Sequence, residues 1–426
     1  MNEDFLHYVW QYQKFDTLHL KTTKGEALHV IQKGQHNKSG SGPDFKEAIL
    51  KIGDQKWAGQ VEIHRQSSDW YAHHHERDTN YDNVILHAVW YDDVEVFDAN
   101  QNPIPTLIIS DCVQSKALEN YQALLSHSGQ RWINCANDFH SFSDFTFENW
   151  LERLYIERLE VKSQVIQQLL AASKNHWDAV CFQYLARNFG LNTNGEQFLK
   201  IAESINYKII QKLQAQPHQI EALLFGQSGL IPNQVEHPDV KRYQQDYVFL
   251  KEKYQLTPRQ EKLEFFRLRP SNFPSLRLAQ LAALLAKKNH LCERMLQVNS
   301  QQEARDFFKI ELSDFWKTHY TFQKESKKSS KKLSRSFVDL MVINTIVPLK
   351  FAYHQHFGQL DFEKQIFPLI SAIKPERNSI VTTFEKLRHH KMKSAVQSQA
   401  LIHLKKNYCD QNRCLSCNFG LKLVRG

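Results

Sequence analysis

Asp44, Glu62 and His64 are the residues of this chain whose types and spacing point most directly to chemistry. Asp44 follows Gly42-Pro43 at the start of an apolar stretch, and Glu62-Ile63-His64 closes the run WAGQVEIH. Extended chain alternates its side chains between two faces, so Glu62 and His64 share one face while Val61 and Ile63 share the other. If the two stretches pair through the Gly53-Asp54 turn, the carboxylates of Asp44 and Glu62 meet. Carboxylates converging from two strands can hold a divalent ion with positions left open for water and a substrate oxygen. The ion lowers the pKa of that water and neutralises developing negative charge. Asp44 and Glu62 are therefore expected to ligate Mg²⁺ or Mn²⁺, and His64 to position or deprotonate the attacking water.

More donors follow. His73, His75, Asp78, Tyr81 and His87 are secondary candidates. If Ser68–Tyr81 is one helix, His75 and Asp78 share a face at i, i+3, as do Asp78 and Tyr81. His87 sits in the apolar run VILHAVWYDD and needs a partner, which a core hydrogen bond would supply as well as a metal. Cys409, Cys414 and Cys417 form C-x4-C-x2-C near the end of the chain, a spacing suited to zinc or an iron–sulfur cluster. Cys135, in RWINCAND, is the leading remote fourth ligand, with Cys292 and His403 as alternatives. Arg267, Arg269 and Arg277 surround a helix start marked by Pro274, where guanidinium groups and backbone N–H groups can hold phosphate.

The elements that must position these residues can be read from periodicity. Phe5, Tyr8, Val9 and Tyr12 repeat at helical spacing. ALHVIQKG, AILKI and WAGQVEIH read as strands, with the polar loop QHNKSGSGPDF between the first two. A helix opening at Ser67-Ser68-Asp69 then leads into a fourth main strand, VILHAVWYDD. Alternation there would set Ile85, His87 and Val89 opposite Val84, Leu86 and Ala88. The order is α-β-β-β-α-β. From about residue 145 the pattern turns helical, as in FENWLERLYIERLEVKSQVIQQLLAAS and SLRLAQLAALLAKKN. YLARNFGLNTN reads as a helix ending near Gly190, with Arg187 in a structural role. The expected organisation is an α/β domain over residues 1–115, a linker over 116–144, a mainly α-helical domain over 145–405 and a cysteine-bearing tail over 406–426.

Composition is that of an ordinary globular chain: 42% hydrophobic, 23% charged and 12% aromatic across 426 residues. The net charge of +8 is compatible with a polyanionic partner without demanding one. The basic, serine-rich stretch KESKKSSKKLSR at 324–335 suits a solvated loop or a phosphate contact. No basic segment followed by an apolar one opens the chain. The apolar stretch Phe337–Tyr353 is interrupted by Asp339, Asn344, Pro348 and Lys350, which suits a buried helix better than a membrane span. Seven cysteines without secretory features point to a reducing cytoplasm.

The order Pro43-Asp44 then Glu62-Ile63-His64, within α-β-β-β-α-β, resembles the PD-(D/E)-x-K nuclease superfamily and its restriction-endonuclease-like fold. The resemblance implies metal binding by Asp44 and Glu62 and a lysine two positions after the glutamate. Here His64 stands in that place. It also implies a glutamate on the first helix, for which Glu3 is the candidate. The strings SGPDF, VEIH, SSDWYAHHHERD and YDNVILHAVW are similar to an uncharacterised bacterial family with a domain of unknown function, over nearly the whole chain through to the C-terminal cysteines. Some superfamily nucleases linked to helicases and CRISPR adaptation have a similar layout, with one remote cysteine and three near the C-terminus around an iron–sulfur cluster. The resemblance therefore implies a divalent-metal-dependent nuclease acting on DNA or RNA, with a helicase among its candidate partners. Two alternatives are a nuclease fold that has lost catalysis and serves as a nucleic-acid-binding or adaptor protein, and a His-rich metallohydrolase of unrelated substrate built on Glu62, His64, His75 and His87.

Overall fold

The computed structural model of the protein describes residues 2–37, 41–126, 128–234, 236–259, 262–359 and 361–425. Residues 38–40 of the polar loop expected before Asp44 lie outside that set. The chain forms two compact units, one of Met1–Asp144, Leu387–His389 and Leu404–Gly426, the other of Phe145–Lys386 and His390–His403.

The first unit is built on a mixed sheet. Its opening helix α1 (Glu3–Gln11) buries Phe5, Leu6, Val9 and Trp10. Four strands follow: β1 (Leu28–Gln32), β2 (Gln35–His36), β3 (Phe45–Ile52) and β4 (Gln55–Gln66). A tight turn at Gly53, φ +59°, joins β3 to β4. After the short helix α2 (Asp69–Ala72) come β5 (Val84–Tyr91) and β6 (Thr106–Ile108), then the helices α3 (Ile109–Cys112) and α4 (Ser115–Leu125). Among the described residues the sheet has six strands in the order β1-β3-β4-β5-β6, with β2 also paired to β3. β1, β3 and β4 run antiparallel, whereas β4–β5 and β5–β6 are parallel. Val61 and Ile63 of β4 and Leu86 and Ala88 of β5 pack with Phe5 and Trp10 on one face. Glu62, His64 and His87 occupy the other.

Three expectations need correction. The single helix expected over Ser68–Tyr81 is broken into α2 and two 3₁₀ turns, His75–Arg77 and Thr79–Tyr81. His74 adopts the left-handed conformation, φ +61°, which ends the first turn. Asp78 ends the second by accepting the Asn80 N–H at 2.9 Å, a local bond that competes with helix. In β5 the expected faces of Val84 and Ile85 are exchanged. Gln60 pairs with Val84 but Val61 pairs with Leu86, so Ile85 is an extra residue that joins Leu86 and Ala88 in the core. Gly59 is required at this bulge, because a Cβ there would meet Asn83 O and Ile85 Cγ2 at 2.5 Å. Residues 116–144, expected as a linker, instead begin inside α4, whose Tyr121 and Leu124 belong to the same core. The tail also packs: its helix Asn418–Arg425 buries Phe419 and Val424. β2 and β6 were not legible because two or three residues carry no period.

The second unit is mainly helical. Its long helix Asp144–Ala172 and the proline-started helices Pro217–Gln227, Pro238–Tyr254 and Pro274–Lys287 follow the expected apolar periods. The helix Trp177–Phe189 does end at Gly190, and Arg187 bonds Glu196 through Nε at 3.0 Å. Arg335–His356 is long and apolar enough to cross a membrane by length and composition, yet 72% of its most apolar window is buried inside the protein. In the basic segment, Lys331 turns inward and donates to Trp316 O, His319 O and Ser326 Oγ at 3.0, 2.8 and 3.0 Å.

Glu221 gives this unit a pH dependence. It is 3% exposed, and its carboxylate accepts hydrogen bonds from Tyr243 and Ser313. Burial outweighs those bonds and moves its pKa from the ordinary 4.5 up to about 7. The folded state thus keeps a proton that the unfolded chain loses from about pH 4.5 upward. The stabilisation is complete below that pH and is lost as pH rises through 7, about 3 kcal/mol in all. Urea unfolding of wild type and Glu221→Gln from pH 4.5 to 8 is expected to show this slope in wild type only. Equal slopes in the two proteins would refute the assignment.

Candidate metal centre

The side chains of Glu62 and His64 emerge from the middle of the sheet because β4 is continuous there, and both are buried, at 5% and 2% exposure. The parallel neighbour β5 sets His87 beside Glu62 in register. The chain between β4 and β5 crosses this face and supplies His73 and His75. It is tied down at its start, where Ser67 Oγ and Ser68 Oγ donate to Asp93 at 2.9 and 2.7 Å. Ser68 thus anchors the loop and does not cap α2. Trp70, fully buried beneath it, donates its indole N–H to Phe97 O at 3.2 Å. In a continuous helix, three successive histidines would fan out around the axis. The left-handed turn at His74 lets His73 and His75 face the same point; His73 and His74 are exposed and His75 is partly buried.

The donors converge there. His64 Nε2 lies 3.1 Å from His73 Nδ1 and 3.5 Å from Glu62 Oε1. His75 Nε2 is also 3.5 Å from Glu62 Oε1. One donor atom from each of His64, His73 and His75 lies within 4.8 Å of the others. An ion roughly 2.0–2.2 Å from nitrogen and oxygen donors in tetrahedral array needs donor separations of about 3.3–3.6 Å, which the His64–His73, His64–Glu62 and His75–Glu62 separations approach. Behind them, His87 Nε2 is 2.8 Å from His64 Nδ1. If His64 offers Nε2 to an ion, its proton resides on Nδ1 and is donated to His87, an outer contact that fixes the ring. His75 stacks on Tyr81 with ring centroids 3.7 Å apart.

Electrostatics favour neutral rings. Burial, then repulsion from the neighbouring imidazoles, pushes His64 down to about 2. Burial likewise lowers His75 to about 4 and His87 to about 3. Neutral imidazole is the form that ligates metal. Burial and the nearby Asp44 charge push Glu62 up to about 9. Burial, with Glu62 beside it, raises Tyr81 to about 12.

Asp44 stands at the edge of this group. Its Oδ2 accepts the Ile63 N–H at 3.0 Å, and its own N–H donates to Glu62 Oε2 at 3.0 Å. The start of β3 is thereby locked to β4. Asp44 Oδ2 also lies 3.1 Å from His7 Nε2 of α1. Burial opposes a charged His7, but the carboxylates of Asp44, Glu3 and Asp4 together outweigh it and raise the pKa. Glu3, one helical turn earlier, is half-buried, and its pKa is raised by burial within reach of His7, Asp44 and His73. His7 escaped the sequence reading, although a histidine inside the stripe Phe5-Leu6-His7-Tyr8-Val9 was a visible interruption.

The remaining candidates fall elsewhere. Asp78 serves its own turn as a cap. Arg277 is a correction: it is buried, donates to Gln280 Oε1 and Asn272 Oδ1 at 2.8 and 2.6 Å, and lies 3.6 Å over the Phe337 ring. Its packing with Phe337 uses the guanidinium in the core. Arg267 and Arg269 are exposed. Cys135, Cys409, Cys414 and Cys417 line one small cavity of the first unit. Cys292 and His403 belong to the second unit, His403 Nε2 lying 3.7 Å from Glu157 Oε2.

A family model described as "Protein of unknown function (DUF2851)" matches residues 3–379, ending before Cys409. No curated protein and no solved structure matches the chain.

Proposed function

The chain belongs to the DUF2851 family, and we propose that it is a metal-dependent hydrolase of nucleic-acid phosphodiester bonds whose ion is held by His64, His73, His75 and Glu62. The observation that carries this reading is the convergence of one imidazole nitrogen each from His64, His73 and His75 within 4.8 Å of one another, with Glu62 Oε1 3.5 Å from His64 Nε2 and from His75 Nε2. Imidazole suits Zn²⁺ or Fe²⁺ best, and Mg²⁺ and Mn²⁺ both favour oxygen; of the two ions expected for this site Mn²⁺, a transition metal, accepts imidazole better than Mg²⁺. Such an ion would supply a polarising charge and a water of lowered pKa. His87 orients His64, and His7 and the Ile63 N–H hold Asp44 beside the cluster.

The substrate class rests on the strand arrangement. Asp44 next to β3 and Glu62 within its antiparallel partner β4, with a crossing segment leading on to β5, support the restriction-endonuclease-like resemblance. His64 in place of lysine then has a reason: it is one of the ligands. The same donors would serve a hydrolase of another ester, so the assay must separate the two. The purified chain is expected to cleave single- or double-stranded DNA or RNA with Mn²⁺ and far more slowly with Mg²⁺. Hydrolysis of bis(p-nitrophenyl) phosphate without nucleic-acid cleavage would move the substrate elsewhere. No hydrolysis of either with Mn²⁺, Zn²⁺ or Fe²⁺ would overturn the enzyme and leave a binding module.

A further inference from the structure

We propose that Cys135, Cys409, Cys414 and Cys417 form a second metal centre, a four-thiolate site for a zinc ion or an iron–sulfur cluster that pins the end of the chain to the segment around residue 134. This site is independent of the histidine cluster and of the activity proposed for it.

The four residues come from two distant stretches. Cys135 lies in the turns after α4, and the other three follow the helix that ends near Leu404. They nevertheless line one small cavity, whose remaining wall is Ile133, Asn134, Tyr408, Arg413 and Gly420. Among the described residues no disulfide joins any cysteines. The stretches are matched by polar contacts as well. Asn134 donates through Nδ2 to Cys414 Sγ at 3.3 Å and to Asn412 Oδ1 at 3.1 Å, and Ser128 Oγ donates to the same Asn412 oxygen at 2.9 Å. An N–H donor aimed at sulfur stabilises a thiolate ligand and is the kind of outer contact that accompanies bound metal. A glycine is needed at 420, because a Cβ there would meet Cys414 O at 2.1 Å. The helix Asn418–Arg425 is therefore seated directly on the cysteine turn.

Four thiols gathered in an apolar pocket call for a thiophilic partner, since soft thiolates select zinc or iron–sulfur clusters over hard ions. Binding one zinc ion would release four thiol protons and need no oxidant. An iron–sulfur cluster would bring its own inorganic sulfide to the same four sulfurs. The sequence left the fourth ligand open between Cys135, Cys292 and His403. The shared cavity selects Cys135.

The test uses the full chain purified without oxygen, in a His64→Ala background so that only the cysteine site is counted. About one zinc per chain, or about two to four iron with matching sulfide and a visible thiolate-to-iron absorbance, is expected. Adding Cys135→Ser is expected to lower that content at least tenfold, whereas adding Cys292→Ser leaves it unchanged. Retention of full metal after Cys135→Ser, or no bound metal even after reconstitution with Zn²⁺ or with iron and sulfide, overturns the proposal. Should Cys135→Ser fail to fold, X-ray absorption on the metal of the His64→Ala chain decides. A shell of four sulfurs supports the site, and a shell of nitrogen and oxygen alone refutes it.

Discussion

Replacing His64 with alanine is expected to lower the affinity of the histidine cluster for Mn²⁺ by more than about a hundredfold and to bring hydrolysis to background. His64 is the donor that touches the others: its Nε2 is 3.1 Å from His73 and 3.5 Å from Glu62, and its Nδ1 is 2.8 Å from His87. Its loss removes one ligand and frees the contact that orients the set. An outer contact by itself typically matters about 10–100-fold in metal affinity, so deletion of the ligand it serves should exceed that range. His87→Phe therefore makes a graded comparison. It keeps a ring in the buried strand position but gives His64 no acceptor, and a loss of about 10–100-fold is expected. Asp44→Ala should behave differently from both. Its carboxylate pairs with His7 and the Ile63 N–H, not with the three donor histidines. Hydrolysis is expected to fall to background while the affinity of the cluster changes by less than about tenfold, below the range of an outer contact to a ligand. Titration calorimetry with Mn²⁺ beside a cleavage assay separates these outcomes. An unchanged affinity in His64→Ala would remove the ion from the cluster altogether.

These residues show what a sequence can and cannot disclose. That Glu62 and His64 share a face and that Asp44 meets Glu62 was legible because strand alternation is a period of two and the Gly53 turn fixes the hairpin register. That the His64 imidazole would lie against His73 and His75 was not legible, because it depends on where those two residues fall. Their convergence hangs on one backbone angle, φ +61° at His74, which no periodicity announces. A helix over the same stretch would have spread them. The extra residue at Ile85 is similar: alternation counted from one end of β5 assigns the wrong face at the other, since a bulge leaves no mark in the order of apolar residues. His87 was legible as a buried polar residue in need of a partner, and the partner is His64. The arginines near Pro274 show the opposite failure. A basic residue at a helix start suggests phosphate, yet Arg277 finds Asn272, Gln280 and Phe337 within its own unit. Cys135 was already the leading remote partner for the tail cysteines, but its place in their cavity, ahead of Cys292 and His403, needed the fold itself, because some 270 residues of chain separate them.

Trp70→Ala should be the most destabilising change near the site, and its effect should reach the ion. The indole is 1% exposed and is the largest side chain beneath the loop that carries His73 and His75. Its ring centroid is 5.3 Å from that of His75 and 5.5 Å from that of His87, and it meets Tyr81 edge-on at 5.9 Å. Truncating a buried tryptophan to alanine removes that packing and leaves a cavity, a loss of about 3–5 kcal/mol. The same cavity deprives His75 and His87 of the surface that fixes their rings, so Mn²⁺ affinity should fall by at least about tenfold, in the range of lost outer contacts. Trp70→Phe separates the two roles. It keeps an aromatic face against both histidines but gives up the indole N–H bond to Phe97 O. A loss of about 1–3 kcal/mol for the unmet carbonyl is expected, with Mn²⁺ affinity close to wild type. Urea unfolding and Mn²⁺ titration of the two variants measure both quantities. If Trp70→Ala binds Mn²⁺ as wild type does, the Ser67 and Ser68 bonds to Asp93 hold the loop without the indole, and the ring serves stability alone.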